Sequence, residues 1–313
     1  MSRHFVIFNP VSGRGRGRRN IETYKALLDE HLDDVTYRTT THAGEERDLA
    51  SSASDDGYDV VVAVGGDGTW GNVADGLVRA GREGIAMGIL PSGTGNDFGR
   101  NLGYDPKKPQ EAVHVLAAGY QRRVDVGWID TPSAPVYAPD AMEQRHFLNV
   151  VGFGFDVAVI DAAQGARFLK GELLYKITAL QQLSRFSGVR IGITGTDGTE
   201  RDGTHLMLTV SNGRYFGGGF PIAPDASIDD GRLHACRIQD VSPFARFKLF
   251  NLAERGRHVT SDRVEVLADD GFRLNFDEPP RFEMDGDVRQ SAVATVEVKV
   301  LPEALSVVAP ALA

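Results

Sequence analysis

Three polar, glycine-rich segments have the composition of a phosphate-binding site. They are Asn9-Pro10-Val11-Ser12-Gly13, Gly65-Gly66-Asp67-Gly68-Thr69 and Pro91-Ser92-Gly93-Thr94-Gly95-Asn96-Asp97-Phe98. Glycine lets a backbone approach phosphate oxygens closely, and the free N–H groups at the start of a helix stabilise their charge. Asp67 places a carboxylate among these donors, where it could hold Mg²⁺ or the hydroxyl that accepts a phosphoryl group. The alternative is a tight turn in which Asp67 caps the following helix.

An arginine-rich stretch, Arg14-Gly15-Arg16-Gly17-Arg18-Arg19, follows the first segment and is predicted to be a loop. Arginine forms forked hydrogen bonds with phosphate, so this loop suits a phosphate ligand. A solvated basic loop without a ligand is the alternative. Neither GxxxxGK[ST] nor GxGxxG opens a helix in this sequence. We therefore expect backbone amides and arginines, rather than a P-loop lysine, to bind phosphate.

Each of the three segments follows a predicted strand in a chain that alternates strands and helices. The predicted strands are Phe5–Phe8, Val35–Thr40, Tyr58–Val64 and Ala86–Leu90, and the predicted helices are Ile21–Leu32, Gly44–Ser54 and a segment after Thr69 that ends at about Ala80. This alternation is typical of a doubly wound parallel sheet. Because such sheets bind ligands at the carboxyl ends of their strands, the three segments should form one nucleotide or polyphosphate site.

From residue 123 onward the pattern changes to short alternating strands, which predict an antiparallel β-sandwich. The predicted strands are Val124–Ile129, Arg145–Val151, Gly188–Thr194, His205–Ser211, Leu233–Ile238, Arg263–Ala268, Phe272–Phe276, Thr295–Val300 and Leu305–Val308. Helices are predicted at Val157–Phe186 and Pro243–Gly256, and a surface loop at Thr131–Asp140. We expect two domains, 1–122 and 123–288.

Composition excludes several classes of protein. Lys+Arg is 34 and Asp+Glu is 43, and the net charge of −9 argues against a nucleic-acid binder. Cys236 is the only cysteine, which excludes an intrachain disulfide and indicates a reducing compartment. The N-terminus does not resemble a signal peptide, and no apolar run approaches the roughly 18–20 residues of a membrane span. We expect a cytoplasmic protein that makes at most peripheral contact with a membrane.

The motifs NPxSG, GGDGT and PxGTxNDF, in this order, resemble those of the diacylglycerol kinase catalytic domain family, which includes sphingosine kinases and bacterial lipid kinases. Gly152–Asp156, Ala223–Gly231 and Met284–Asp287 extend the resemblance over the whole chain. The resemblance implies an ATP-binding α/β domain, to which the tail of about 289–313 returns, and a β-sandwich domain for the lipid. It also implies a cleft between the domains, ATP as phosphate donor, Mg²⁺, and a lipid acceptor at a membrane surface.

The same resemblance implies a set of site residues. The catalytic residues would be Asp67 and the pair Asp285 and Asp287; the family's Asp-Gly-Glu reads Asp285-Gly286-Asp287 here, so either aspartate could accept the proton. A second Mg²⁺ would bind the Asp230 side chain and the carbonyls of Ser227 and Arg232, although a plain β-turn is the alternative. The nucleotide would contact Asn9, Pro10, Val11, Ser12, Gly13, Arg14, Thr40, Gly65, Gly66, Asp67, Gly68, Thr69, Gly93, Thr94, Asn96 and Asp97.

One departure keeps other functions open. The family usually continues GGDGTxNE, whereas this chain has Trp70-Gly71-Asn72. A non-catalytic nucleotide-binding regulator is therefore one alternative. GGDGT is shared with NAD kinases, so a kinase of a soluble acceptor is another, although Asn96-Asp97-Phe98 and Asp285-Gly286-Asp287 argue against it. Pro243–Arg257 combines phenylalanines with basic residues, and this helix either docks on an anionic bilayer or packs against the sandwich. A homodimer is a further open alternative.

Overall fold

In the computed structural model, which describes residues 2–136, 145–164 and 172–311, helices and strands alternate in the first part of the chain and strands dominate the second. The first part comprises β1 (Arg3–Phe8), α1 (Ser12–His31), β2 (Asp34–Thr39), α2 (Glu45–Asp55), β3 (Val60–Gly65), α3 (Asp67–Ala80), β4 (Ala86–Pro91), α4 (Asp97–Asn101) and α5 (Pro109–Ala118).

The second part begins with β5 (Gln121–Ile129), β6 (Ser133–Pro135), β7 (His146–Phe147), β8 (Val150–Gly154), α6 (Phe155–Gln164) and α7 (Glu172–Arg185). It continues with β9 (Val189–Thr194), β10 (Glu200–Ser211), β11 (Tyr215–Phe216), β12 (Phe220–Pro221), β13 (Leu233–Gln239), α8 (Pro243–Ala253), a 3₁₀ turn at His258–Thr260, β14 (Val264–Asp269), β15 (Gly271–Phe276), β16 (Arg281–Met284), β17 (Asp287–Ser291) and β18 (Thr295–Val308). Among the described residues, no helix is long and apolar enough to cross a bilayer.

The first four strands form a parallel sheet in the order β2-β1-β3-β4. Every residue of β3 and β4 is buried, because helices cover both faces of the sheet. β2 lies on one side of β1, and the chain then crosses β1 and places β3 on the other side. This order creates a switch point at the carboxyl ends of β1 and β3, where Phe8 pairs with Val64.

The second part is built from antiparallel pairs in the order β15-β9-β10-β8-β16-β17-β6, and β13 and β14 extend it from β10. A second core, separate from that of the parallel sheet, fills this part. The predicted fold class is therefore confirmed: a doubly wound α/β unit followed by an antiparallel β-sandwich. β18 connects both parts, because Ser306 pairs in parallel with Ala86 of β4 and Val298 pairs antiparallel with Phe272 of β15. The domain boundaries near residues 122 and 289 stay a prediction.

A buried ionic cluster also joins the two parts. Asp75 of α3 is fully buried and lies 2.6 Å from Nε of Arg47 on α2. The same carboxylate accepts hydrogen bonds from the backbone N–H groups of Arg145 and His146, each at 3.1 Å. One side chain of the α/β unit thus fixes the start of β7 in the sandwich.

The predicted arginine-rich loop is wrong, because the segment lies within α1, which begins at Ser12 rather than Ile21. The first turns are irregular: φ is +56° at Gly13 and +88° at Gly15, and Arg18 N–H donates to the Pro10 carbonyl at 3.1 Å. The glycines that suggested a loop permit this distorted start, and the alternating arginines are good helix formers.

The predicted strand Arg145–Val151 is also wrong, since it is two strands, β7 and β8. The interruption has a tertiary cause, because the carboxylate of Asp285 takes the N–H groups of Leu148, Asn149 and Val150. The predicted helix Val157–Phe186 corresponds to α6 and α7, and residues 165–171 between them lie outside the described residues, as do residues 137–140 of the predicted loop.

Candidate active site

The three glycine-rich segments meet at the carboxyl edge of the parallel sheet. Backbone N–H of Ser92 donates to the Gly65 carbonyl at 2.7 Å, which ties the third segment to the second. Asn9 Nδ2 donates to Thr69 Oγ1 at 3.0 Å, which ties the first segment to the second. The expected convergence on the switch point is therefore present, and backbone amides from all three segments surround it.

Asp67 does not cap its own helix. It is the first residue of α3, whose N-cap, Gly66, makes no side-chain capping bond. Its Oδ1 instead accepts a hydrogen bond from Phe98 N–H at 3.0 Å, at the start of α4. Burial raises the pKa of Asp67 to about 6, and the negative charge of Asp285 adds to this rise. The Asp67 carboxylate thus connects the second glycine-rich segment to the third, which the simple capping alternative does not predict.

Asp285 comes from the hairpin between β16 and β17 and faces Asp67 across the cleft. Its Oδ2 accepts Leu148 N–H at 2.7 Å, and its Oδ1 accepts Asn149 N–H at 2.9 Å and Val150 N–H at 3.1 Å. Burial raises the pKa of Asp285 to about 7 in spite of these three donors. The carboxylate is held in one orientation, and of about four lone-pair sites it keeps one unused.

Asp287, on the same hairpin, faces the Gly65–Thr69 segment. An ideal Cβ on Gly68 would stand 3.1 Å from Asp287 Oδ2, so the absence of a side chain at 68 permits this approach. Asp287 is open to solvent, but the protein around the cleft still desolvates its carboxyl and raises its pKa, against the opposing effect of Arg289. The two aspartates are therefore in different surroundings, with Asp287 beside the turn and Asp285 bound within the sandwich.

Two further carboxylates complete the cluster. Asp97 is buried and accepts Gly218 N–H at 2.8 Å; burial, and then the charge of Asp67, raise its pKa to about 7. Sequence reasoning missed Glu46, which is buried on α2 and accepts Asn9 Nδ2 at 2.8 Å. Burial raises the pKa of Glu46 to about 7. The sequence feature that could have identified Glu46 is an acidic residue in the first turn of α2, the helix that follows β2.

The expected nucleotide contacts group around this edge, with one qualification, which concerns Arg14. Thr40 lies at the switch point, since its N–H donates to the Phe8 carbonyl at 2.9 Å. The backbone of Arg14 lies in α1, but its side chain is outside what the structure describes. The structure brings together Asn9, Pro10, Val11, Ser12, Gly13, Thr40, Gly65, Gly66, Asp67, Gly68, Thr69, Gly93, Thr94, Asn96 and Asp97 at the carboxyl ends of β1 to β4.

The departure at Trp70-Gly71-Asn72 lies on the buried side of α3. Trp70 is fully buried, and its Nε1 donates to the Ala63 carbonyl at 3.1 Å. Asn72 Oδ1 accepts a hydrogen bond from Arg47 Nη2 at 3.1 Å. Both side chains therefore pack α3 against β3 and α2.

The expected second Mg²⁺ site has the hydrogen bonding of a turn. The carboxylate of Asp230 accepts the N–H groups of Ser227 at 3.2 Å and of Arg232 at 3.0 Å, and His234 Nε2 lies 3.1 Å away. No group of three or more His, Cys, Asp or Glu within the described ranges has the arrangement of a metal site. The three residues lie together in this loop, and the Mg²⁺ site and the β-turn both stay predictions.

A cavity of about 570 Å³ extends from the carboxylates into the sandwich. Its polar end contains Asp67, Asp97 and Asp285, and its body is lined mainly by apolar side chains from α6, α7, β10 and α8. Phe155, Leu206 and Leu249 are typical of this lining. The site thus joins a phosphate-binding edge to an apolar cavity through a set of buried carboxylates.

Comparison with known proteins agrees with this geometry. Residues 3–129 match the diacylglycerol kinase catalytic domain, and residues 149–309 match the YegS C-terminal NAD kinase beta sandwich-like domain. A diacylglycerol kinase of Mycobacterium tuberculosis is 31% identical over 306 residues, covering 97% of this chain and 94% of that protein. One of Bacillus subtilis is 25% identical over 292 residues, covering 92% and 90%. A diacylglycerol kinase structure from Bacillus anthracis has the same fold, with a TM-score of 0.70 at 19% identity over 99% of this chain and 97% of that one.

Proposed function

The chain belongs to the diacylglycerol kinase family, and we propose that it is an ATP- and Mg²⁺-dependent kinase that phosphorylates a hydroxyl of a diacylglycerol-like membrane lipid. The observation that carries this proposal is the apolar cavity that opens on Asp67, Asp97 and Asp285. A soluble, charged acceptor such as NAD would gain nothing from burial in an apolar cavity, whereas an acyl chain would.

We assign the phosphates of ATP to the edge formed by the three glycine-rich segments. The backbone N–H groups at the start of α3 and the hydroxyl of Thr69, whose oxygen accepts from Asn9 Nδ2, are the donors available there. Asp67 and Asp287 approach the same turn, and their carboxylate oxygens are the donors that Mg²⁺ prefers, so these two residues would hold the ion. When bound, Mg²⁺ neutralises phosphate charge during transfer.

We assign the proton acceptor to Asp285 rather than Asp287. The lipid hydroxyl has to approach from the apolar cavity, and Asp285 lines that cavity while Asp287 does not. Three backbone N–H groups hold the Asp285 carboxylate in place and leave one lone-pair site for the hydroxyl. The hydroxyl proton passes to Asp285 as the oxygen bonds to phosphorus, and ADP leaves.

Phosphoryl transfer from labelled ATP tests the proposal directly. Diacylglycerol in mixed micelles and NAD are offered in separate reactions, and label in the lipid alone is expected. Label on NAD with none in lipid would replace this function with that of a soluble-acceptor kinase. ATP binding without transfer to any lipid of an extract would support a regulator.

Two matched substitutions separate the aspartates. Asp285→Asn should lower kcat by about 100-fold or more while the Kd for ATP is retained. Asp287→Asn should mainly raise the KM for Mg-ATP. The assignments are reversed if Asp287→Asn abolishes turnover with normal ATP binding and Asp285→Asn remains active. Circular dichroism is needed for Asp285→Asn, since its amide cannot accept all three backbone donors.

We propose that the outer face of α8 contacts an anionic bilayer. Phe244 is 87% exposed and Phe247 is 47% exposed, and the exposed Lys248 of α8 and Arg255, two residues beyond its end, border the same surface depression. The opposite face contributes Leu249 to the cavity wall, so the helix both packs against the sandwich and borders the opening for the lipid. We also propose a cytoplasmic location, which the single cysteine favours because proteins of a reducing compartment rarely use disulfides.

Sedimentation with vesicles tests this contact. Wild type should bind vesicles of phosphatidylglycerol and phosphatidylcholine more strongly than vesicles of phosphatidylcholine alone, and salt should weaken the binding. Phe244→Ser with Phe247→Ser should reduce binding without changing turnover of a short-chain, soluble acceptor. Equal binding by wild type and the double variant would show that another surface is used.

A further inference from the structure

Two buried carboxyl groups lie in the wall of the apolar cavity, one on α6 and one on β16. Asp156 is 4% exposed and Glu283 is 2% exposed. Gly152 of β8 pairs with Glu283 in the sheet, and an ideal Cβ on Gly152 would clash with Asp156 Oδ2 and stand 3.3 Å from Glu283 Oε2. Residues 127 positions apart in the chain therefore place their carboxyl oxygens over the same glycine.

Within the described part of the chain, three of the four carboxyl oxygens have no hydrogen-bond partner. Among the described residues, none gives a hydrogen bond of normal geometry to Asp156 Oδ1, Asp156 Oδ2 or Glu283 Oε2. Only Glu283 Oε1 is engaged, by the N–H of Gly286. Burial raises the pKa of Asp156 to about 7 and that of Glu283 well above its usual range, and the charge of Asp156 adds to the effect on Glu283. Buried polar atoms are normally satisfied, so these oxygens point to a partner supplied by a ligand.

The position of the pair indicates which part of a ligand would reach it. Asp156, Glu283 and Asp285 all line the cavity, and Glu283 lies on β16 two residues before Asp285, which begins the turn of the hairpin. A lipid hydroxyl at Asp285 would therefore have its next polar group near Glu283 and Asp156, while its acyl chain continues into the apolar part. The pair keeps free acceptor lone pairs in either protonation state, so a hydrogen-bond donor on that next group fits it.

We propose that Asp156 and Glu283 form a recognition site for a hydrogen-bond donor on the carbon next to the phosphorylated hydroxyl of the acceptor lipid. The donor is a second hydroxyl or an ammonium group, and the acceptors favoured are single-chain lipids such as monoacylglycerols or long-chain amino alcohols. This inference rests on the proposed lipid kinase function and specifies its acceptor class. The two side chains determine specificity, whereas the transfer step uses Asp67 and Asp285.

A matched pair of acceptors tests this site. 1-Oleoylglycerol carries the second hydroxyl, and 3-hydroxypropyl oleate lacks only that group. Wild type should prefer 1-oleoylglycerol by about 100-fold or more in kcat/KM, because a site built around a substrate hydroxyl discriminates strongly against its absence. Two further acceptors are tested in the same assay. Sphinganine carries an ammonium group at that position and shows whether an ammonium can replace the hydroxyl. 1,2-Dioleoylglycerol has no donor there.

Asp156→Asn and Glu283→Gln replace an acceptor oxygen by a donor at nearly unchanged volume. Each should reduce the preference for 1-oleoylglycerol to less than about tenfold without altering the KM for ATP. Asp161→Asn is the control, because Asp161 lies on the same helix but pairs with Arg281 outside the cavity. An unchanged preference in Asp156→Asn, or a wild type that favours dioleoylglycerol, would overturn the inference.

A direct binding measurement separates this inference from the proposed kinase function. Titration of wild type with 1-oleoylglycerol below its aggregation concentration should give binding that Asp156→Asn weakens about tenfold or more. If wild type binds in this way but transfers no phosphate, the kinase proposal fails and the recognition site stands. If wild type phosphorylates lipids but both proteins bind 1-oleoylglycerol equally, the recognition site fails and the kinase proposal stands. Should Glu283→Gln not fold, Asp156→Asn alone decides.

Discussion

Asp156→Asn should make the protein more stable, and the gain should grow with pH. The Asp156 carboxyl titrates at about 7 in the folded protein, against a usual value of 3.8. For an acid, such a raised pKa means that the folded state binds more protons than the unfolded state between these two values. The free energy of unfolding therefore falls as the pH rises from about 4 to about 7, because the folded protein has to ionise a carboxyl that lacks a hydrogen-bonding partner.

The size of the effect follows from the pKa difference. Each pKa unit corresponds to about 1.4 kcal/mol, so the full contribution is about 4 kcal/mol above pH 7. Between pH 5 and pH 8 the gain of the asparagine variant over wild type should increase by about 3 kcal/mol. Glu283 is present in both proteins, so its own titration largely cancels. Loss of the like charge at 156 also makes ionisation of Glu283 less unfavourable, which acts in the same direction.

Urea unfolding followed by circular dichroism at pH 5 and pH 8 measures this difference. With an m value of about 3 kcal/mol/M, the unfolding midpoint of Asp156→Asn should exceed that of wild type by about 1 M more at pH 8 than at pH 5. Asp161→Asn should show no such increase, because its carboxylate is partly exposed and paired with Arg281. If the midpoints of wild type and Asp156→Asn differ by the same amount at pH 5 and pH 8, the reasoning is refuted and Asp156 has a counter-ion.

The remaining predictions concern the cleft and the contact between the two parts of the chain. Asp67→Ala should abolish lipid phosphorylation in a labelled-ATP assay while lowering stability by only about 1 kcal/mol, the value of the hydrogen bond from the start of α4; turnover like that of wild type would exclude a catalytic role. Gly68→Ala places a methyl group 3.1 Å from Asp287 Oδ2 and should raise the KM for Mg-ATP, whereas an unchanged KM would show that this close approach is unimportant. Asp75→Asn leaves Arg47 buried without its 2.6 Å ion pair and should cost about 3–5 kcal/mol in urea unfolding; a loss below about 1 kcal/mol would contradict this role for the cluster.

The parallel sheet was predictable because its signals are local. The runs of buried apolar residues in β3 and β4 identify strands covered on both faces, and the topology of such sheets places their carboxyl ends together. That rule alone brings Asn9, Asp67 and Asp97 to one edge. The start of α1 was not predictable, because glycine at 13 and 15 suggests a loop and the distorted helical turn depends on a bond from Arg18 to Pro10.

Features that depend on distant pairing left no local signal. The break between β7 and β8 is made by Asp285, which is 135 residues away from Val150 in the sequence. Asp156 and Glu283 become neighbours only through the pairing of β8 with β16. Residue types and spacing can indicate that a carboxylate is present, but they do not indicate whether the folded chain supplies its partner.

That distinction divides the carboxylates of the cleft into two functional groups. Asp285 and Asp97 receive N–H groups from the protein and are therefore held rigidly before any ligand binds. Asp156 and Glu283 keep oxygens that no described residue partners, although the chain already has a net charge of −9 and apolar side chains would fit a cavity wall. The phosphates of ATP cannot supply a partner, since they are also anions and would be repelled. The two groups therefore have different roles: the rigid carboxylates take part in phosphoryl transfer, and the other two recognise a donor on the lipid.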